Sequence, residues 1–141
     1  SISIKLIKKN APHIKWILSY SDGTQCGDGT IYRASGFNLT GVKENKTILE
    51  WEGKIIADKT LNNSNYKKLG ISAGYAKKNG AKPLDGYQLR YIYLIDKTCK
   101  ITVPILPFSK IDEMGAGMYK GEKITQAERR KNAVEAQVKC D

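Results

Sequence analysis

Apolar residues come in short bursts along the chain, and their spacing predicts the elements. "ISIKLIKKN" sets Ile2, Ile4, Leu6 and Ile7 among lysines, and Lys8, Lys9 and Asn10 ahead of Pro12 predict the last turns of a helix. "HIKWILSYS" alternates, with Ile14, Trp16 and Leu18 on one face and Ile17 and Tyr20 filling the other, which predicts a strand buried on both sides. "DGTQCGDG" has the composition of a loop. "GTIYRASGF" carries Ile31, Ala34 and a closing Gly36, the pattern of a short helix with a glycine C-cap. "FNLTGV" and "TILEWEG" read as strands, and "EGKIIADKTL" as the return arm of a hairpin that turns near Gly53.

Residues 63–79 place Tyr66, Leu69, Ala73 and Tyr75 at roughly helical spacing. Asn63 or Ser64 would cap that helix and Gly80 would end it, while Gly70 and Gly74 work against it. "YQLRYIYLID" is the clearest strand, with Leu89, Tyr91, Tyr93 and Ile95 on one face and Arg90, Ile92 and Leu94 on the other. "CKITVPILPF" continues as a further strand or an extended arm, held to a sheet edge by Pro104 and Pro107. From residue 109 the chain turns polar and little core is expected. There "TQAERRKNAVEAQV" is either a surface helix, boxed by Thr125 and Glu128, or a disordered tail. The order of elements predicts an α/β fold class in the broad sense, an α+β mixed sheet. It spans residues 1–108, with 109–141 as a basic tail, and any parallel strand pair would be joined by a right-handed crossover.

Charge narrows the partners. The 141 residues hold 24 Lys and Arg against 14 Asp and Glu, a net +10. That excess suits a polyanion such as nucleic acid or a phosphorylated cofactor, or else makes a solvated lysine surface. Most of it is lysine, which supplies phosphate affinity rather than base reading. No apolar run is long enough to span a membrane. Cys26, Cys99 and Cys140 are widely spaced and His13 is the single histidine, a poor set for structural zinc and one that suits a reducing cytoplasm.

The glycine-rich stretch 19–37 is the natural place for chemistry. A strand ending in "SYSDG" and a helix starting near Thr30 make a strand–loop–helix unit, where ligands sit in open α/β sheets. Glycines there admit a ligand close to the backbone, or simply connect two elements. Neither GxxxxGK[ST] nor GxGxxG is present. Asp22 and Asp28 flank the loop as candidate acids or as turn residues. Tyr32 is a candidate proton donor or a core tyrosine. Cys26 would need His13 brought to it in space to act as a nucleophile. Trp16, Tyr20 and Phe37 are either pocket aromatics or plain core.

These residues carry a likeness to a known family. "WILSYSDGTQCGDGTIYRASGF", followed by "LTGVKENKTILE", resembles the Mom-like proteins of Mu-type bacteriophages and their prophage relatives, a branch of the GNAT acyltransferase superfamily. The resemblance continues through "GAKPLDGYQLRYIYLID" and "TVPILPFSKIDEMGAGMYKG", so it runs from Lys15 to Gly121. It implies a GNAT-like fold in which acetyl-CoA or a related acyl-CoA lies between two splayed parallel strands. "HIKWILSYS" would be the second of these. Tyr32 would protonate the departing thiolate, and Asp22, ten residues earlier, would belong to the same catalytic set. Ser19, Ser21 and Arg33 would contact the cofactor.

The implied substrate is the N6 amino group of adenine in duplex DNA, carried to an acylated or carbamoylmethyl form with iron as a proposed participant. The first splayed strand and the pyrophosphate loop have no counterpart here, so the chain resembles the C-terminal half of such a protein. An open sheet edge beside "HIKWILSYS" follows, to be covered by an N-terminal half or by a second copy in a homodimer. The competing expectation is a non-catalytic nucleic-acid-binding or assembly module that uses the same lysines and a basic helix around Arg129, Arg130 and Lys131.

Overall fold

Ser1 starts the first element by accepting a hydrogen bond from the Ile4 N–H, and Lys8 and Lys9 sit in its last turn, against the negative end of the helix dipole. In the computed structural model, which describes residues 1–119, 122–125, 127, 128 and 131, this helix is α1 (Ile2–Asn10). Next come β1 (Trp16–Asp22), the single-turn α2 (Gly23–Cys26), α3 (Thr30–Ala34) and β2 (Asn38–Glu44). A second group comprises β3 (Ile48–Trp51), β4 (Lys54–Ala57), α4 (Asp58–Leu61), α5 (Ser64–Lys68), α6 (Ala73–Lys78) and β5 (Lys82–Pro83). The chain then returns as β6 (Tyr87–Leu94) and ends in α7 (Ser109–Glu113), β7 (Met118–Tyr119) and β8 (Glu122–Lys123). The mixture of helices and small sheets is the α+β class expected.

The main sheet has the order β1–β6–β2, and every strand pair among the described residues is antiparallel. No parallel pair is present there to need a crossover. β6 lies in the centre because its alternation offers Leu89 and Tyr91, both fully buried, to one side. Ile4, Phe37, Leu39, Ile111 and Ala116 close over them. Buried residues therefore include Ile111, Ala116 and Met118, where little core was expected. One apolar or small residue per turn is enough when it docks on a formed sheet.

β1 corrects the expectation of a strand buried on both faces. It pairs with β6 alone, so it is an edge strand among the described residues. Trp16, Leu18 and Tyr20 all point to its outer face and are 53%, 40% and 49% exposed. Tyr20 shares that face with Trp16, because side chains alternate strictly with period two. Ile17 packs on the core side.

Residues 45–86 form a satellite with a core of its own, Leu49, Leu61, Ala73, Ala76 and Ala81. Its hairpin turns at Glu52 and Gly53, with φ of 50° and 71°, the two left-handed residues of a type I′ turn. The single helix expected over 63–79 is two helices. Asn63 caps α5, Gly70 takes φ 71° and ends it, and Ser72 caps α6. The Asn45 N–H donates to the Gly86 carbonyl at 2.8 Å, so the satellite's two ends meet at one point.

"CKITVPILPF" is an extended arm, tied to β2 where the Leu106 N–H donates to the Leu39 carbonyl at 2.8 Å. The capping box expected at Thr125 is present: the Glu128 N–H donates to Thr125 Oγ1, and Glu128 accepts from the Thr125 N–H at 2.7 Å. Arg129, Arg130 and Cys140 lie outside the described residues. Among the described residues no helix is long and apolar enough to cross a membrane.

Candidate functional site

The strand–loop–helix unit is held from three sides. At the end of β1, Asp22 Oδ1 accepts the Thr24 N–H at 3.0 Å and so starts α2 within the segment expected to be loop throughout. Asp28 then organises the rest. Its Oδ1 accepts the Thr30 N–H at 3.1 Å and the Thr30 hydroxyl at 2.6 Å, while its Oδ2 accepts Arg33 Nη1 at 3.2 Å. That ion pair is largely buried, with Asp28's side chain 6% exposed. Arg33 also lies over the Phe108 ring, 4.5 Å from its centre. The guanidinium therefore braces loop, helix and arm together.

Tyr32 sits in α3 between two aromatic partners. Its ring stacks on Tyr91 at 5.1 Å and 23°, and meets Phe37 edge-on at 5.3 Å and 67°. Tyr91 reaches across from β6, and its hydroxyl donates a short hydrogen bond to the Asp28 carbonyl. Gly29 makes room for that ring: a Cβ there would lie 2.7 Å from Tyr91 Cε2. Tyr32 is half-buried, and its hydroxyl makes no hydrogen bond among the described residues, so the ring is fixed and the proton-bearing oxygen is not engaged.

Asp22 and Tyr32 thus belong to one loop, at the strand end and in the helix that follows, with no hydrogen bond joining them among the described residues. Ser19 and Ser21 share the inner face of β1 with Ile17, and Ser21 is buried against β6 opposite Leu89. Of the three candidate aromatics, Phe37 is core, while Trp16 and Tyr20 lie on the far side of the sheet. There Trp16, Ile92, Leu94, Cys99, Ile101 and Val103 line a cavity of about 540 Å³, facing away from Tyr32.

Two residues of the site were not foreseen. Tyr91 was placed only on one face of a strand, and Thr24 not singled out at all. Thr24 is fully buried with its hydroxyl unpartnered among the described residues, and a Cβ at Gly86 would run into it. No three His, Cys, Asp or Glu side chains come together among the described residues. With Asp28 committed to Thr30 and Arg33, the described donors do not assemble an iron site.

A family model described as the Mom protein family matches residues 1–110, from α1 through the start of α7. The chain belongs to the Mom protein family. The match takes in the whole strand–loop–helix unit, the satellite and β6, and extends the resemblance to the N-terminal helix. Membership of the Mom family places the protein with phage DNA modification. No curated protein matches the sequence closely enough to count as a relative.

Proposed function

We propose that this Mom-family chain carries one wall of an acyl-transfer site acting on the N6 amino group of adenine in DNA. The observation that supports it is Tyr32, a tyrosine clamped by Tyr91 and Phe37 with an unengaged hydroxyl at the end of a strand–loop–helix unit. The free edge of β1 suits an acyl-CoA, since an edge strand offers N–H and C=O groups to the amides of the pantetheine arm. Bound acyl-CoA would supply a thioester carbonyl to the amine and a thiolate as leaving group. Tyr32 is the residue that would give its hydroxyl proton to that thiolate, as the amine nitrogen took the place of sulfur on the carbonyl carbon. Asp22 uses its second carboxylate oxygen, unpaired among the described residues, to take the proton that the amine loses. Ser19 and Ser21 line the strand side, and Arg33 keeps the tyrosine helix in register. An acyl-CoA held there would need a second wall alongside the β1 edge. The target adenine has to leave the duplex stack to reach such a site.

Tyr32→Phe tests this. The ring contacts survive, so unfolding should be unchanged while transfer falls about 10²–10⁴-fold. Undiminished transfer would reject Tyr32 as the acid. A non-catalytic DNA-binding module is the second reading, favoured by the exposed lysines of the satellite. Separate titrations with acetyl-CoA and with a DNA duplex divide the two: duplex binding alone, with no CoA binding, supports the module.

A further inference from the structure

The satellite, residues 45–86, holds eight lysines against four acids. All eight lysines are exposed. Only Lys46 among them has a carboxylate partner, Asp85 at 3.6 Å, and the other seven have none among the described residues. Two pairs, Lys67 with Lys68 and Lys77 with Lys78, stand in the last turns of α5 and α6. Helix dipoles favour them there, and solvent reaches them on the satellite's surface.

The same satellite holds a cleft of about 400 Å³ whose walls include the aromatic rings of Trp51, Tyr66 and Tyr75, with Lys54 and one acid, Glu52, beside them. Trp51 and Tyr75 meet edge-on, 6.4 Å apart, and the Trp51 indole N–H donates to the Asn79 carbonyl at 3.3 Å, which fixes the ring. Lys78 is one turn on from Tyr75 along α6, so a cation stands beside the cleft as well as on its wall. Cationic side chains around aromatic faces are the combination that holds an unstacked base with its phosphates.

We infer that the satellite, residues 45–86, is the surface on which this protein docks DNA. Its lysines hold phosphates and its cleft holds a base that has left the stack. This rests on DNA being the partner, as proposed above, but places the contact on residues other than those of the Tyr32 loop.

The test is the salt dependence of binding to a labelled duplex carrying one unpaired base. It compares the full chain with Lys67→Gln/Lys68→Gln/Lys77→Gln/Lys78→Gln and with a charge-matched control, Lys5→Gln/Lys8→Gln/Lys9→Gln/Lys97→Gln. Circular dichroism checks that all three are folded. The satellite variant should lose affinity, and its log–log salt slope should fall by about 1 for each phosphate contact removed. The control should keep the slope of the wild type. In a Trp16→Phe background, which leaves Trp51 as the single tryptophan, the duplex should quench Trp51 emission, and Tyr75→Ala should weaken that quenching. Failure of the wild type to bind DNA would remove the DNA reading itself. Binding by the wild type with equal losses in both quadruple variants would overturn the satellite assignment alone. Unchanged Trp51 emission on binding would overturn the role of the cleft.

Discussion

Gly29 and Gly53 share a φ of 71° and differ in what surrounds them, so together they separate backbone strain from packing. Alanine at Gly53 meets nothing within 4 Å. It should cost only the left-handed penalty, about 1–2 kcal/mol. Alanine at Gly29 incurs the same penalty and also pushes into the Tyr91 ring, 2.7 Å from Cε2 and 3.0 Å from Cζ and the hydroxyl oxygen. The ring has to move. That breaks its hydrogen bond to the Asp28 carbonyl, worth about 1 kcal/mol, and loosens its stack on Tyr32, worth about 0.5–1.5 kcal/mol. Gly29→Ala should therefore destabilise by about 3–4 kcal/mol, roughly twice the cost of Gly53→Ala. Urea unfolding of the two variants, followed by far-UV circular dichroism with a common slope, gives the difference directly. Equal destabilisation would refute the argument, because it would mean that Tyr91 does not press on residue 29 and does not clamp Tyr32.

Thr24→Val removes a buried hydroxyl without a partner and keeps the side-chain shape, so it should stabilise by about 1 kcal/mol and raise Tm by a few degrees in a thermal melt. A loss of stability would show that the hydroxyl is satisfied. Asp96 is held below its ordinary value of 3.8, first by the Thr98 hydroxyl, then by the Thr98 N–H, with Lys15 adding to both. A depressed carboxylate stabilises the fold above its ordinary value and loses that contribution as pH falls through the lowered one. Thr98→Ala should move the Asp96 titration upward in a carbon-detected NMR experiment, and an unmoved curve would reject the assignment.

Local chemistry was open to the sequence and long-range partnership was not. The turn at Glu52–Gly53, the strand through Leu89 and Tyr91, and the Thr125–Glu128 box each depend on neighbours a few residues apart, and each was found. The 63–79 segment failed where two signals competed. The apolar spacing ran on, but a left-handed Gly70 followed by a Ser72 cap stops and restarts a helix. Whether a sheet face is covered depends on what the rest of the chain packs over it, so the exposed face of β1 could not be read from its alternation, although its open edge was expected from the resemblance. At the site, Asp22 and Tyr32 were visible as types in a glycine-rich loop, whereas the residue that fixes Tyr32 lies 59 positions away on β6. Asp28 was seen as turn chemistry, which it performs, but its bond to Arg33 needs α3 in place first.

β2 and β6 are adjacent antiparallel strands, so to the main sheet the 42 residues from Asn45 to Gly86 are a hairpin loop. Closing a loop of that length rather than a two-residue turn costs about 3 kcal/mol of chain entropy if the loop is unstructured. A folded satellite removes most of that cost by holding its own ends together. Anything that orders the satellite therefore tightens the pairing of β6, the strand whose Tyr91 grips Tyr32. A polyanion bound on the satellite would in this way steady the tyrosine without touching it, a coupling carried by the closure of the loop alone.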